Sequence, residues 1–233
     1  MERLDKIISA TGKYSRREVK ELIRQGRVIV DGVVADSPER KIDPAQAHIL
    51  VDGQAIGYEK FTYLMLHKPA GVLSAVEDQR QKTVLDLLPP ELRKRGLSPV
   101  GRLDKDTEGL LLLTNDGALT HHLLSPKHHV DKVYYARVDG LLTQADTAAF
   151  AAGLRLGDGL QCLPAGLEIL SAHECLVTVQ EGKFHQVKRM LACRGKTVTY
   201  LKRLCMGALR LDETLEKGAY RPLTEEEIEL LQR

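Results

Sequence analysis

The amino-acid sequence predicts an α+β protein in which a small N-terminal module precedes a larger domain with a mixed, largely antiparallel sheet. Charged residues and short hairpin signals dominate the first 58 residues, whereas apolar strand patterns begin at residue 61. Short strand and helix patterns then mix without regular alternation, which argues against a doubly wound parallel sheet. Since 43% of the 233 residues are hydrophobic and 28% are charged, a packed core is expected. We therefore expect domains at residues 1–58 and 61–233.

The N-terminal module contains explicit helix and hairpin signals. Ser15 and Glu18 form a capping-box pattern that begins a helix, which would run to Gln25 with Gly26 in the left-handed position after it. The apolar side of this helix would pack against an earlier, shorter helix. The segments RVIVDG and HILVDGQAIG then predict two hairpins that each turn at Asp-Gly.

Positive charge is concentrated on the second helix of this module. Arg16, Lys20 and Arg24 are spaced by four residues and therefore share one helix face. Residues 3–27 contain eight lysines and arginines but three acids. Such a stripe is suited to neutralising RNA phosphates, although a solvated helix face gives the same pattern. The candidate RNA-binding residues here are Arg3, Arg16, Arg17, Lys20, Arg24 and Arg27.

The segment RLDKIISATGKYSRREVKELIRQGRVIVDG resembles the S4 RNA-binding domain, a module of two helices and a hairpin. The similarity includes the helix that begins at SRRE and the hairpin turn in GRVIVDG. It implies that the basic stripe contacts RNA.

The larger domain shows short elements of both kinds. Strands are predicted at residues 62–67, 109–114, 133–138, 166–170 and 175–180. Helices are predicted at residues 83–88, 118–124, 143–152 and 185–193.

The segment GRLDKDTEGLLLLTNDG admits two interpretations. Its alternating acids, Asp104, Asp106 and Glu108, could begin a calcium loop, but the closing position falls on Asn115 and no helix is predicted on either side. Alternatively, one acid is a catalytic carboxylate held rigidly at the entrance of a buried leucine strand. The spacing does not choose among the three acids, and a structural role in capping a turn is equally compatible with it.

Metal, nucleotide and membrane functions find little support in the sequence. A Ser-Pro loop separates the pair His121 and His122 from the pair His128 and His129, so unliganded histidines are expected. The sequence has no phosphate-binding loop, dinucleotide fingerprint or hydrolase elbow. Its four cysteines form no Cys-x-x-Cys pair and are expected to be reduced. The charged N-terminus and the short apolar runs predict no signal peptide and no membrane span, hence a cytoplasmic protein.

Four segments in order resemble the RsuA-type ribosomal RNA pseudouridine synthases, which isomerise uridine in RNA. These segments are MLHKPAGVLSA, VGRLDKDTEGLLLLTNDG, DKVYYARV and EGKFHQVKRMLACRG. The resemblance implies a catalytic domain of the pseudouridine synthase type behind the S4 domain. The segment SPKHHVDKVYYARV and the absence of a long basic tail are more similar to the small-subunit, 16S rRNA enzymes. The alternatives are a large-subunit 23S rRNA enzyme and a non-catalytic RNA-binding or ribosome-assembly factor.

The resemblance also implies roles for individual residues. Asp104 matches the catalytic aspartate, and Arg102 matches an arginine that helps to fill the space of the flipped nucleotide. Tyr134 matches the tyrosine beneath the target base, and the tyrosine after it would face the other side of the strand. Lys188 matches the basic partner of the aspartate, with Arg189 as the alternative partner and an RNA contact. Asp106 and Glu108 are expected to be loop acids without a catalytic role.

The implied reaction breaks the N1–C1′ bond of a flipped uridine, rotates the uracil and rejoins it through C5. Asp104 must be ionised to act as a nucleophile or as a base, and the sequence leaves both routes open. Because the uracil is retained, no metal, nucleotide or redox cofactor is expected. The expected partner is ribosomal RNA, either 16S rRNA or a small-subunit assembly intermediate, bound by a monomer.

Overall fold

The computed structural model describes residues 1–44, 46–57 and 60–232. Contacts divide the chain into two compact units. The first unit comprises Met1–Thr62 and Leu88–Leu97, and the second comprises Tyr63–Leu87 and Ser98–Arg233. The predicted boundary between residues 58 and 61 falls partly on Tyr58 and Glu59, which lie outside the described residues, and it stays a prediction.

The first unit packs helices against short antiparallel strands around one apolar core. Its elements are β1 (Glu2–Arg3), α1 (Leu4–Ala10), α2 (Arg16–Arg24), β2 (Val28–Val30), β3 (Val33–Val34), β4 (Lys41–Ile42), β5 (Ile49–Val51), β6 (Gln54–Ala55) and, from the later segment, α3 (Pro90–Arg93). The strands β3, β2, β5 and β6 pair in that order, and β1 pairs separately with β4. The two predicted helices and both predicted hairpins are confirmed.

Local chemistry explains the bounds of α2 and of the first hairpin. The Glu18 N–H donates to Ser15 Oγ at 3.3 Å, and the Ser15 N–H donates to the Glu18 carboxylate at 2.6 Å, which closes the predicted capping box. Asp31 and Gly32 have φ angles of 53° and 80°. Two consecutive left-handed residues are what the tight hairpin turn between β2 and β3 requires.

The second unit is built on a mixed sheet. Its strands are β7 (Tyr63–Lys68), β8 (Ser98–Pro99), β9 (Glu108–Thr114), β10 (Lys132–Asp139), β11 (Gly166–Ser171), β12 (Glu174–Val179), β13 (Thr197–Met206), β14 (Leu209–Arg210) and β15 (Tyr220–Pro222). Its α-helices are α4 (Gly117–Leu124), α5 (Gln144–Ala152), α6 (Gln186–Cys193) and α7 (Glu225–Gln232). The strand order is β11-β12-β10-β13-β9-β7-β15. Within the described sheet every strand pair is antiparallel except β13 with β9, so the predicted α+β class is confirmed.

The predicted helix at residues 83–88 is instead a short 3-10 turn, Val84–Leu87. The Asp86 carboxylate accepts from both the N–H and the hydroxyl of Thr83, which closes a single turn. Two prolines follow at residues 89 and 90, and a residue that precedes proline is disfavoured in the α region. The segment is therefore too short for an α-helix.

Two apolar cores lie against the sheet of the second unit. The strands β10 to β13 pack with α5 and α6, and the strands β7 and β9 pack with α4 and α7. The two parts of the sheet meet where β13 pairs with β9, at Lys202 with Glu108 and at Arg203 with Gly109. Gly109 has a φ of +107°, and a Cβ there would lie 2.2 Å from the Arg203 carbonyl oxygen. Glycine is therefore required at this junction.

No helix in the described parts of the chain is long and apolar enough to cross a bilayer. All four cysteines are free, as the sequence predicted. Burial raises the pKa of the Cys175 thiol to about 11, which keeps that thiol protonated and unreactive.

Candidate active site

The loop of residues 101–107 leads directly into the buried strand β9. Ser74 fixes this loop from a separate segment, because its Oγ donates to the Leu103 carbonyl at 2.8 Å and accepts from the Leu103 N–H at 3.1 Å. The Thr107 N–H donates to the Asp104 carbonyl at 3.1 Å, which tightens the turn. The backbone of Asp104 is therefore held on both sides.

Lys68 lies fully buried beneath the same loop. Its Nζ donates to the carbonyl oxygens of Pro69, Asp104, Lys105 and Thr107 at 2.8–3.3 Å. Burial lowers the pKa of Lys68 to about 8, although three neighbouring carboxylates act in the opposite direction. The sequence predicted no role for Lys68. The only available signal was a lysine within an apolar strand pattern.

Asp104 and Asp106 share one cation, Lys188. The Lys188 Nζ lies 3.0 Å from Asp104 Oδ2 and 2.6 Å from Asp106 Oδ1. Burial disfavours the charge on Lys188, but its hydrogen bonds to Asp106 and Asp104 outweigh that effect and raise its pKa above the usual value. The hydrogen bond from Lys188 also lowers the pKa of Asp106. The site therefore keeps an ammonium group beside two carboxylates.

The other residues considered from the sequence lie elsewhere. Arg189 pairs with Asp158 at 2.5 Å rather than with Asp104. The Glu108 carboxylate accepts from Tyr200 Oη at 2.7 Å and lies 2.7 Å from Lys217 Nζ. Of the three acids that spacing could not distinguish, Glu108 is thus set apart by its partners, whereas Asp104 and Asp106 share Lys188.

Asp104 borders a pocket that is also lined by Arg102, Tyr134 and His185. Tyr134 reaches the pocket from β10, and its side chain packs against the core beneath α5 and α6. Tyr135 lies on the opposite face of the strand, where its hydroxyl donates to Glu174. The alternation predicted for these two tyrosines is confirmed.

An aromatic pair beside Asp104 was missed in the sequence. The rings of Phe184 and His185 stack at 3.7 Å, and His185 Nε2 lies 3.5 Å from Asp104 Oδ1. His185 adopts a φ of 50°, an uncommon conformation that places it immediately before α6. Phe184 is 72% exposed, and the signal for it was an apolar residue within the charged segment EGKFHQVKRM. The pair gives the rim of the pocket an aromatic surface.

The basic stripe of the first unit divides into two classes. Arg16, Arg17 and Lys20 are exposed and border a groove with Arg3. These three make no ion pair with any residue of 1–44, 46–57 or 60–232. The other three basic residues are engaged by carboxylates: Arg24 with Glu21 at 2.6 Å, Arg27 with Asp52 at 2.6 Å, and Arg3 with Asp5 at 2.8 Å and Glu39 at 3.0 Å.

The histidines near residue 125 do not form a metal site in the structure. The rings of His122 and His128 lie 4.2 Å apart, and His129 contacts the amide of Gln180. Among the described residues, no three His, Cys, Asp or Glu side chains are grouped to hold a metal ion.

Comparisons with known proteins extend over both units. Residues 62–193 match the family model described as RNA pseudouridylate synthase, and residues 2–47 match the S4 domain. The chain is 46% identical over 233 residues to a Bacillus subtilis protein named uncharacterized RNA pseudouridine synthase YtzG, with 98% of each chain covered. It is 43% identical over 228 residues to the ribosomal small subunit pseudouridine synthase A of Vibrio cholerae, with 97% of each covered. A crystal structure of a pseudouridylate synthase has a TM-score of 0.70 at 38% identity, over 99% of this chain and 100% of that one.

Proposed function

The chain belongs to the RNA pseudouridylate synthase family, and on that premise we propose that it isomerises a uridine of small-subunit ribosomal RNA with Asp104 as the reacting carboxylate. Relatives named for the small ribosomal subunit align along almost the full length of the chain, including the S4 domain. These alignments favour a 16S rRNA substrate over the large-subunit alternative.

The observation that carries the assignment of Asp104 is its pairing with Lys188. The Lys188 Nζ lies 3.0 Å from the Asp104 carboxylate, and Asp104 borders a pocket that Tyr134 and Arg102 also line. The lysine fixes the orientation of the carboxylate, which both a nucleophile and a base require. The loop contacts from Lys68 and Ser74 fix the position of this carboxylate before RNA binds.

Tyr134 and Arg102 are proposed to handle the flipped nucleotide. Tyr134 presents its ring beside Asp104, where it can lie under the uracil while the glycosidic bond is open. Arg102 is exposed at the edge of the same pocket and makes no ion pair within the described chain. Its guanidinium is therefore free to occupy the space that the target base vacates.

The reaction balances without an added reagent. The N1–C1′ bond breaks, the C5–C1′ bond forms, and the proton lost from C5 is replaced by one at N1. No electrons or groups are gained or lost, so we propose that no cofactor takes part. Asp104 either bonds to the sugar or removes a sugar proton, and both routes require the same ionised carboxylate.

The same proposal assigns a role to each domain and names the partner and the cellular location. Residues 1–58 would bind RNA through the S4 domain, and residues 61–233 would carry out catalysis. The partner would be 16S rRNA or a small-subunit assembly intermediate, bound by a monomer in the cytoplasm.

The test is a map of pseudouridines in ribosomal RNA from cells with and without this gene. We expect one small-subunit position to lose its pseudouridine and to regain it with the wild-type gene. Asp104→Asn should not restore it, whereas Asp139→Asn, which changes an exposed acid at the end of β10, should. Restoration by Asp104→Asn would contradict the catalytic assignment. A lost position in the large-subunit RNA would favour the large-subunit alternative, and no lost position would favour a non-catalytic factor.

A further inference from the structure

A second cavity adjoins the pocket of Asp104 and shares Tyr134 and Arg102 with it. Its charged lining consists of Arg102, Lys132, Lys183, Arg203 and a single acid, Glu181, and of these Lys183 and Glu181 also line the first pocket. Four cations and one carboxylate therefore surround a space next to the proposed position of the uracil. The reaction steps described above give this space no role.

Lys132 is 4% exposed, although it carries an ammonium group. Its Nζ donates to the carbonyl oxygens of Val130 at 2.8 Å and Gln180 at 3.4 Å. Burial, and then the charge of Arg203, lower the pKa of Lys132. The hydrogen bonds orient this ammonium group, but neutral carbonyl oxygens do not balance its charge.

Arg203 is 2% exposed, and its Nε donates to the Leu110 carbonyl at 2.9 Å. Its Nη2 is buried and has no hydrogen-bond partner within the described residues. A buried guanidinium nitrogen without a partner costs free energy comparable to a lost hydrogen bond. The free protein therefore retains a cation that its own side chains do not satisfy.

The one acid of the cavity does not neutralise these groups. Glu181 lies 2.6 Å from Lys183, which leaves Lys132, Arg203 and Arg102 with no carboxylate within 4.0 Å in the described structure. Uncompensated buried charge is destabilising, and functional sites are where proteins retain it. Such a set of buried cations is suited to an anion that comes from outside the chain.

We propose that this cavity is a phosphate subsite, which takes a backbone phosphate of the RNA next to the target uridine. The inference rests on the proposed function, because RNA supplies the anion. Tyr134 lines both spaces, so a uracil against its ring would leave the adjoining backbone at the second cavity. Fixed cations in a low-dielectric setting attract a phosphate more strongly than solvated ones do.

The first test compares Lys132→Met with Lys202→Met. Both variants remove one lysine from the same sheet, but Lys202 precedes Arg203 on β13 and so faces the other side of the strand. For Lys132→Met we expect KM to rise about tenfold with kcat within about twofold, and the slope of log affinity against log salt to fall by about one. For Lys202→Met we expect wild-type values.

If Lys132 had only a structural role, its replacement by Met would give a different result. Replacement would then lower the thermal unfolding midpoint of the free enzyme and leave the salt slope unchanged. The phosphate subsite instead predicts a midpoint at or above that of the wild type, since a buried charge is removed. An unchanged salt slope with wild-type KM would overturn the proposal.

A second test does not depend on the folding of any variant. Synthetic RNA substrates carry one neutral methylphosphonate at each position around the mapped uridine. We expect one position to weaken wild-type binding about tenfold, and Lys132→Met to show no further loss there. A scan in which no position matters would overturn the subsite. Since every substrate is first shown to be converted by the wild type, failure of the proposed function appears separately, as absence of conversion.

Discussion

Two sets of cations in this enzyme lack carboxylate partners within the described structure, and they differ in burial. Arg16, Arg17 and Lys20 on α2 are exposed to solvent. Lys132 and Arg203, beside Tyr134, are almost completely buried. Water and salt screen the first set, so we propose that its attraction for RNA is general and weakens as salt rises. The second set acts at short range and at one place, so it positions the nucleotide.

From this difference we propose that exposed cations set RNA affinity in this protein and buried cations set the position of the nucleotide. A substitution in α2 should change how tightly RNA binds and how salt affects binding. A substitution among buried groups should depend on the atoms of one nucleotide.

The largest effect is expected for Lys188, a cation that does have carboxylate partners. Lys188→Met removes the ammonium group that lies 3.0 Å from Asp104. We expect single-turnover kcat to fall about 100-fold, because one preorganised electrostatic contact to the reacting group is lost. RNA affinity should change less than threefold. Arg189→Met is the matched control, since Arg189 pairs with Asp158 instead, and an equal loss of kcat there would contradict the assignment.

The next largest effect is expected for the exposed cations on α2. Replacing Arg16 and Lys20 together by Ala should weaken RNA binding about tenfold at low salt and reduce the salt slope by about two. At saturating RNA, kcat should stay at the wild-type value. The control replaces Arg24 and Arg27, which already pair with Glu21 and Asp52. A larger slope change in the control would show that internal pairing does not decide which cations meet RNA.

A smaller effect is expected for Ser74, which holds the loop of residues 101–107. Ser74→Ala removes both hydrogen bonds to Leu103, and the buried backbone groups have no water to replace them. We expect the free energy of unfolding to fall by about 1–3 kcal/mol and kcat to fall with it. Chemical denaturation measures the first quantity. Ser171→Ala, at an exposed end of β11, should leave both unchanged, and a wild-type kcat in Ser74→Ala would remove Ser74 from the positioning machinery.

The smallest effect concerns Asp106 and pH. Lys188 holds the folded-state pKa of Asp106 below its usual 3.8, so their pairing stabilises the fold above that pH and the stabilisation is lost as pH falls. Asp106→Asn should lower the unfolding midpoint at neutral pH by on the order of 2 °C or less, because the carboxylate is largely exposed. The two proteins should converge below pH 3.8. A difference that grows in acid would reverse the inferred sign.

The fold was predictable where the signal is local. The capping box at Ser15, the Asp-Gly turns and the apolar strand β9 each depend on a few adjacent residues, and the structure has all of them. The strand β13 was missed although it lies near the middle of the sheet. Its sequence, TVTYLKRLCM, places Lys202 and Arg203 where a buried strand normally has apolar residues.

The site was predictable only in part, for a related reason. The resemblance to a family pointed to Asp104, Tyr134 and Lys188. In the structure Asp104 and Tyr134 border one pocket and Lys188 pairs with Asp104, while their catalytic roles stay proposals. Lys68 and Ser74 approach the same loop from a segment some thirty residues earlier. Such contacts depend on tertiary packing, and no periodicity or spacing in a single sequence predicts them.

The contact between Gly109 and Arg203 limits how the loop of residues 101–107 could be transferred to another protein. Gly109 lies against the backbone of Arg203, so the strand that follows the Asp104 loop and the strand that carries the buried guanidinium are fixed to one another. A graft that copies residues 101–108 alone would leave the Asp104 carboxylate without the neighbouring strand that fixes its position. The smallest transferable unit contains both strands, their parallel register and the glycine between them.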